Sequence, residues 1–428
     1  MVTNVKNLIS KIDFRYHAIL ILTLYLCTFF VYTDFGIPAI VGVVFLFLYL
    51  VIEMIQAFFI DKINISKIIF DNDNKYIFVV LCIILLFSLL NFSLDTTKIF
   101  YILIAIISIG MIVLGKSIDK KTLDKVSIIF IGIGVLFSIL ILFFRYAPEL
   151  YQNLIFPFLS TDALAYIART TSEGYSISVG GEMCYTVDII IIGIIFLLYT
   201  KKIDKEHLLN FLLLFIMIVS TLFSQRRAET LMLMLILLLF LLHKYNIINK
   251  LAGLNKKYII IGFGIFVVVC LIGYLMIPTN LTTNNRILQT LVNLKNGTDV
   301  SNGRGSLYSV ALKLFKKNPI IGIGWMNFSK FAIETGNTHA RNVHCIYLQL
   351  LTECGVLGAT GFLYCLIYYI KDSFKLIKIN NYIFICLSLY FFILVDGIID
   401  NTIYYPYFWV IFMIVHCVRI SFNTIKVQ

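Results

Sequence analysis

Charge is scarce in this chain. Of 428 residues only 14% are Asp, Glu, Lys or Arg, against 60% hydrophobic, and the mean hydropathy is +0.94. That balance excludes an ordinary soluble globular domain. Paired cysteines are missing as well. The nine cysteines are scattered with no CxxC spacing, which argues against a disulfide frame or a thiolate metal cluster and leaves small buried side chains. The first apolar run, His17 to Thr33, follows Lys6, Lys11 and Arg15 but lacks a small-x-small cleavage site, so it reads as a retained anchor. No internal repeat relates one half of the chain to the other.

What is present is apolar sequence in long blocks, each about the length needed to cross a hydrocarbon core of roughly 30 Å. Twelve are expected, centred near residues 25, 48, 84, 107, 136, 192, 215, 236, 267, 357, 389 and 411. They are continuously apolar and do not alternate, which predicts helices and not a barrel. The expected fold is therefore all-α: a polytopic integral membrane protein of about 12 transmembrane helices, one membrane domain over residues 1–428. Lysine and arginine set its orientation. With the N-terminus inside, every inner segment is basic, and both termini are cytoplasmic. The net charge of +12 is thereby a matter of topology and gives no reason to expect nucleic acid.

One connection stands out. Residues 278–342 form a large extracytoplasmic loop between spans nine and ten. Within it Leu307, Val310, Ala311, Leu314 and Phe315 recur at helical spacing, with Lys313, Lys316 and Lys317 on the other face. This predicts an amphipathic helix at about 305–318 that lies on the outer leaflet and ends before Pro319. The inner link holding Asp71-Asn72-Asp73 is, by contrast, too short for a nucleotide-binding domain.

The two basic residue types are distributed differently. Most lysines fall on inner segments, whereas seven of the nine arginines fall outside: Arg145, Arg169, Arg226, Arg227, Arg286, Arg304 and Arg341. A guanidinium grips phosphate through two parallel charge-assisted hydrogen bonds, so the outer face looks furnished for an anionic ligand. The alternative is a solvated loop with incidental arginines. Arg226 and Arg227 sit at the tip of a tight outer hairpin, where the choices are pairing with Glu229, lipid headgroups or a substrate diphosphate. Arg304 opens the predicted helix within Gly303-Arg304-Gly305-Ser306, where small residues and free N–H groups admit an anion. His344 begins the tenth span, shortly after His339 and Arg341, and histidine suits proton transfer near neutral pH. Gln349 and Glu353 share one face of that span, with Glu353 favoured as a structural partner. Asp188, at the start of the sixth span, is either functional or a stabiliser of its own helix dipole.

Three stretches carry a family resemblance. They are Ser224-Gln225-Arg226-Arg227; Arg304 followed by Asn318-Pro319-Ile320-Ile321-Gly322-Ile323-Gly324; and His344-Cys345-Ile346-Tyr347-Leu348-Gln349 with Glu353 and Gly355 through Gly358. Together, in this order, the chain resembles the O-antigen polymerase and O-antigen ligase group of bacterial envelope enzymes over about residues 220–360. The group usually has Asn after the histidine where this chain has Cys345. Asn342 is the nearest replacement for that amide.

The resemblance implies a glycosyltransferase of the cytoplasmic (inner) membrane. Its donor would be an undecaprenyl-diphosphate-linked oligosaccharide, transferred on the outer face to a growing glycan acceptor. A departing diphosphate needs charge stabilisation, which arginines supply without a metal or other cofactor. The expected catalytic set is His344, Arg304, Arg227 and Arg226, with Arg169, His339, Arg341, Gln349 and Glu353 binding substrate. Partners are the lipid bilayer and, as a candidate, a chain-length regulator. The Ile-, Asn- and Lys-heavy composition favours polymerisation of O-antigen or capsular repeats over ligation of finished glycan to a lipid core. The competitor from another class is a flippase for lipid-linked sugars. Transporters, however, tend to gather polar groups at mid-membrane between repeated halves, whereas here they gather at one face.

Overall fold

A computed structural model describes residues 87, 120–159, 161–172, 183–201, 207–245, 286–297, 304–334, 342–376, 382–404, 408, 411–412, 415–416 and 418–419. Among these the protein is helical throughout, with no strand. The helices are α1 (Lys120–Tyr146), α2 (Pro148–Ile155), α3 (Thr161–Ser172), α4 (Met183–Thr200), α5 (Leu208–Phe223), α6 (Arg227–Lys244), α7 (Arg286–Lys295), α8 (Arg304–Lys317), α9 (Phe328–Glu334), α10 (Ile346–Leu376) and α11 (Ile383–Ile399). Two segments, Leu123–Tyr146 and Ile346–Leu376, are long and apolar enough to cross a bilayer, and Thr186–Thr200, Leu208–Phe223 and Ile383–Ile398 are shorter apolar helices. The spans expected near residues 136, 192, 215, 236, 357 and 389 coincide with α1, α4, α5, α6, α10 and α11. Those expected near 25, 48, 107 and 267 lie outside the described residues. Phe87 alone is described of the span near 84, and single helical residues of the one near 411.

The chain divides into two compact units, each discontinuous in sequence. One comprises Gly134–Ile194 and Ile203–Gly303. Here Gly134 of α1 lets a neighbour approach, since an added Cβ would stand 3.4 Å from the Met217 sulfur of α5 and 3.5 Å from the Ile189 carbonyl of α4. Residues Thr186 to Ile194 of α4 are all buried, and an apolar helix buried all round is a core helix. Asp188 belongs to that buried stretch and lies beyond the first turn of α4, so it does not act as a first-turn acid. A smaller cluster of Phe144, Tyr151 and Ile167 ties α1, α2 and α3 together, with Phe144 and Tyr151 edge to face.

The other unit comprises Met1–Ile133, Ile195–Lys202 and Arg304–Gln428. Its frame is the pair α10 and α11, and α8 and α9 pack against α10. Gly397 of α11 allows close approach to the start of α10, where a Cβ would meet Ile346 and Tyr347 at 3.3 Å. The Tyr347 hydroxyl then donates to the Leu394 carbonyl at 2.6 Å. The buried face of α8, Ala311 and Leu314, packs with Ile323, Phe328, Ala332 and Val343, joined by Leu307 and Val310. A helix is present at Arg304–Lys317 where one was expected at 305–318, and the buried part of its apolar stripe packs against protein.

A break in α10 organises this unit. At Gly355 the backbone is non-helical, φ +63 and ψ −168, which frees main-chain groups on both sides. The segment after α8 takes them up. Ile323 and Gly324 donate to the carbonyls of Thr352 and Glu353 at 3.0 and 2.9 Å, and Val356 and Leu357 donate to those of Pro319 and Ile320 at 2.9 and 3.3 Å. Irregular backbone in an apolar helix is tolerated where protein satisfies it. The close approach requires glycine on both sides: a Cβ on Gly322 would fall 2.3 Å from the Glu353 carbonyl carbon, and one on Gly355 2.2 Å from the Ile320 oxygen.

Candidate functional site

Glu353, two residues before Gly355, is 1% exposed and anchors a chain of polar contacts. One carboxylate oxygen accepts the Met326 N–H at 2.8 Å and the other the Phe328 N–H at 2.9 Å, so Glu353 caps α9 and holds the turn before it. The second oxygen also accepts the Gln349 amide at 2.8 Å. Gln349 in turn accepts the Val343 N–H at 2.8 Å and the Asn401 side-chain amide at 3.0 Å. The Asn401 carbonyl oxygen accepts the Cys345 N–H at 3.0 Å. The main-chain N–H groups on both sides of His344 are therefore gripped by buried side-chain amides.

His344 itself adopts φ +57, in the left-handed region. Such a conformation costs on the order of 1–3 kcal/mol in a non-glycine residue and persists where its surroundings impose it. The imidazole is 38% exposed, and its Nδ1 lies 3.2 Å from the Asp400 carboxylate, which is 9% exposed. Asp400 also accepts the N–H of Asn401 at 2.8 Å. Arg304, at the first turn of α8, donates to Tyr308 one turn on. Burial pushes the Tyr308 hydroxyl pKa up, opposed by Arg304 and reinforced by the nearby Cys345 and Asp400. Arg304, Tyr308, Cys345, His344 and Asp400 thus form one electrostatic neighbourhood.

The hairpin arginines belong to the other unit. Gln225, at φ +61, ends α5, and Arg226 is the extended N-cap of α6. The Arg226 guanidinium contacts one oxygen of Glu229 through two nitrogens, at 2.5 and 2.7 Å, with Glu229 1% exposed. Arg227 donates to the Thr290 hydroxyl of α7 at 2.5 Å. Of the residues expected from sequence, Arg304, His344, Gln349 and Glu353 fall in one unit, and Arg226 and Arg227 in the other. Arg169 lies in α3, while His339 and Arg341 lie outside the described residues.

Sequence reasoning missed Asp400, Asn401 and Tyr308. The first two had a signal, an Asp-Asn pair ending an apolar span. Beside Cys345 the structure places the Asn401 amide, which the sequence reading did not anticipate. The non-glycine residues with positive φ among those described are Gln225, Met326 and His344. Gln225 and His344 stand in motif stretches, and Met326 lies two residues beyond a third.

No curated protein matches the chain. Residues 212–363 match the family model described as O-Antigen ligase, a span that contains all three motif stretches and stops short of Asp400. The resemblance read from the motifs is borne out over residues 212–363, where the chain is similar to the O-antigen ligase family, and that likeness, with the apolar helices, supports a membrane protein of glycan transfer of the O-antigen ligase and polymerase type.

Proposed function

We propose that the protein transfers a saccharide from an undecaprenyl-diphosphate-linked oligosaccharide to a sugar hydroxyl at the outer face of the bacterial cytoplasmic membrane, polymerising repeat units. The observation that carries this reading is the half-exposed His344 held against Asp400 beside Arg304 and Tyr308. With its Nδ1 proton donated to Asp400, the imidazole keeps Nε2 as a proton acceptor. The acceptor hydroxyl gives its proton to Nε2 as its oxygen bonds the anomeric carbon. The bond from that carbon to the diphosphate breaks, and the diphosphate leaves with the electron pair. Arg304 stabilises the charge that develops on it.

The remaining residues divide by what already occupies them. Gln349 and Glu353 spend their polar atoms on protein groups and serve as positioning residues. Glu229 neutralises Arg226, which assigns Arg226 to holding the hairpin, and Arg227, whose guanidinium bonds the uncharged Thr290 hydroxyl, is the proposed phosphate-gripping member of the pair. Arg169, His339 and Arg341 complete the proposed binding set. Twelve spans with both termini cytoplasmic suit the basic inner segments and the apolar helices.

The test is glycan synthesis by His344→Ala and Arg304→Ala at normal protein levels. A loss of at least a hundredfold in both is expected, and near-normal polymer length and rate in both would defeat the assignment. The family description favours a second reading, ligation of finished glycan. The accumulating product separates the two: single repeat units for a polymerase, long unattached chains for a ligase.

A further inference from the structure

The burial of the apolar stripe of α8 leaves its other face to be explained. Lys313, Lys316 and Lys317 are exposed on that face, and none forms an ion pair among the described residues. From Arg304 to Ile333 the chain carries five cations and no acid. Directly after the last lysines, the segment that repairs the break in α10 presents Ile320 and Ile321, 64% and 46% exposed. They adjoin Val356 and Leu357 of α10, 44% and 56% exposed, through the main-chain bonds from Val356 and Leu357 to Pro319 and Ile320. An apolar ledge therefore continues the exposed apolar side of a candidate span, with a row of cations within about one helical turn of it.

We propose that this lysine face and the Ile320–Ile321 ledge dock anionic phospholipid of the surrounding bilayer, the lysines on headgroup phosphates and the isoleucines among the acyl chains. Charge complementarity and the continuity of the ledge with α10 commit the site to lipid. A soluble anion would leave the ledge in water, and an acidic protein partner would have to displace lipid from α10. Docking would fix the height of α8, and so of Arg304 at its start, relative to the bilayer. The proposal is independent of the glycan-transfer reading, since it requires only that α10 crosses the membrane.

The experiment uses the full chain in bilayers of phosphatidylcholine with increasing phosphatidylglycerol, followed by native mass spectrometry of retained lipid. Each lysine near an anionic surface contributes roughly a fivefold preference. The unsubstituted chain should retain phosphatidylglycerol selectively. Replacing Lys313, Lys316 and Lys317 together by Gln should reduce that selectivity at least tenfold, and replacing them by Arg should preserve it. A photocrosslinking phenylalanine analogue at Ile320 should capture phospholipid. Unchanged selectivity in the Gln variant would overturn the proposal, as would loss of selectivity in the Arg variant or capture of a protein at Ile320.

Discussion

The two ends of α10 hold polar groups in opposite ways. At its start, His344 shows its ring to solvent while buried amides grip the backbone on either side of it. Toward its other end Arg419, fully buried, bonds Asp372 and lies with its guanidinium carbon 4.6 Å over the Tyr369 ring. Tyr390, Phe412 and His416 pack around that ring. A fully buried guanidinium under an aromatic ring, held by a carboxylate only 21% exposed, is a lock, because no ligand can reach the cation. A half-exposed imidazole whose orientation is imposed from behind is arranged to meet a ligand. Polarity within an apolar helix thus says little about chemistry until exposure is known.

If that contrast is right, substitutions at the two ends should fail in different ways. The largest effect belongs to His344→Ala. General base catalysis contributes typically about 10²–10⁴ in rate, so glycan transfer per folded molecule should fall by that factor. Thermal unfolding should shift little, since the imidazole is the exposed part of its network. A large loss of stability with retained specific activity would reverse the assignment of the two ends. Asp372→Ala should show the opposite signature. Removing one partner of a buried pair costs on the order of 3–5 kcal/mol, because the remaining charge stays buried. The melting temperature should drop by several degrees or more while the folded fraction transfers glycan at its usual rate. The double variant Arg419→Met, Asp372→Leu should recover much of that stability.

An intermediate effect is expected for Asn401→Ala. This side chain touches no solvent, yet it bonds both Gln349 and the Cys345 N–H. Its removal should loosen the left-handed backbone at His344 and reduce kcat about tenfold with KM nearly unchanged. Asn401→Asp should recover part of what Asn401→Ala loses, because Asp keeps the acceptor for Cys345 but loses the donor to Gln349. A change confined to KM would place Asn401 in the binding surface instead.

How much of this was legible beforehand depended on whether the cause was local. Apolar blocks announced α1, α5, α10 and α11, since hydrophobic length is a property of contiguous sequence. The period of Leu307, Val310, Ala311 and Leu314 announced α8. What covers that stripe was not legible, because Phe328, Ala332 and Val343 arrive from later in the chain. Gly355 could be read as a place of close packing, but its reciprocal fit with Gly322 could not. The site divides in the same way. His344, Gln349 and Glu353 sit within ten residues, and their helical spacing placed two of them on one face. Asp400 and Asn401 lie more than fifty residues further on, and only the fold brings them back to His344. Arg226 shows the reverse limit: its partner Glu229, three residues away, was visible, but no pattern could say whether the pair was formed.

The smallest effect should come from Cys345→Asn, which introduces the residue common at this place in the family the motifs resemble. The main-chain N–H of residue 345 is already held by Asn401, so the new amide has no vacancy to fill on the backbone. Its side chain would replace a partly buried thiol that packs against the Val343 and Ala311 cluster. Exchanging that contact for a polar group should cost stability of about 1 kcal/mol and change the transfer rate by no more than about threefold. Combined with Asn401→Ala, however, the same substitution should matter, because Asn401 bonds both Gln349 and residue 345 and an amide at 345 is a candidate to take over part of that role. Recovery of at least part of the lost kcat in the double variant would show that the two positions supply one function from two helices. Strict additivity of the two effects would show instead that Cys345 is only packing, and that His344 is held by Gln349 and Asn401 alone.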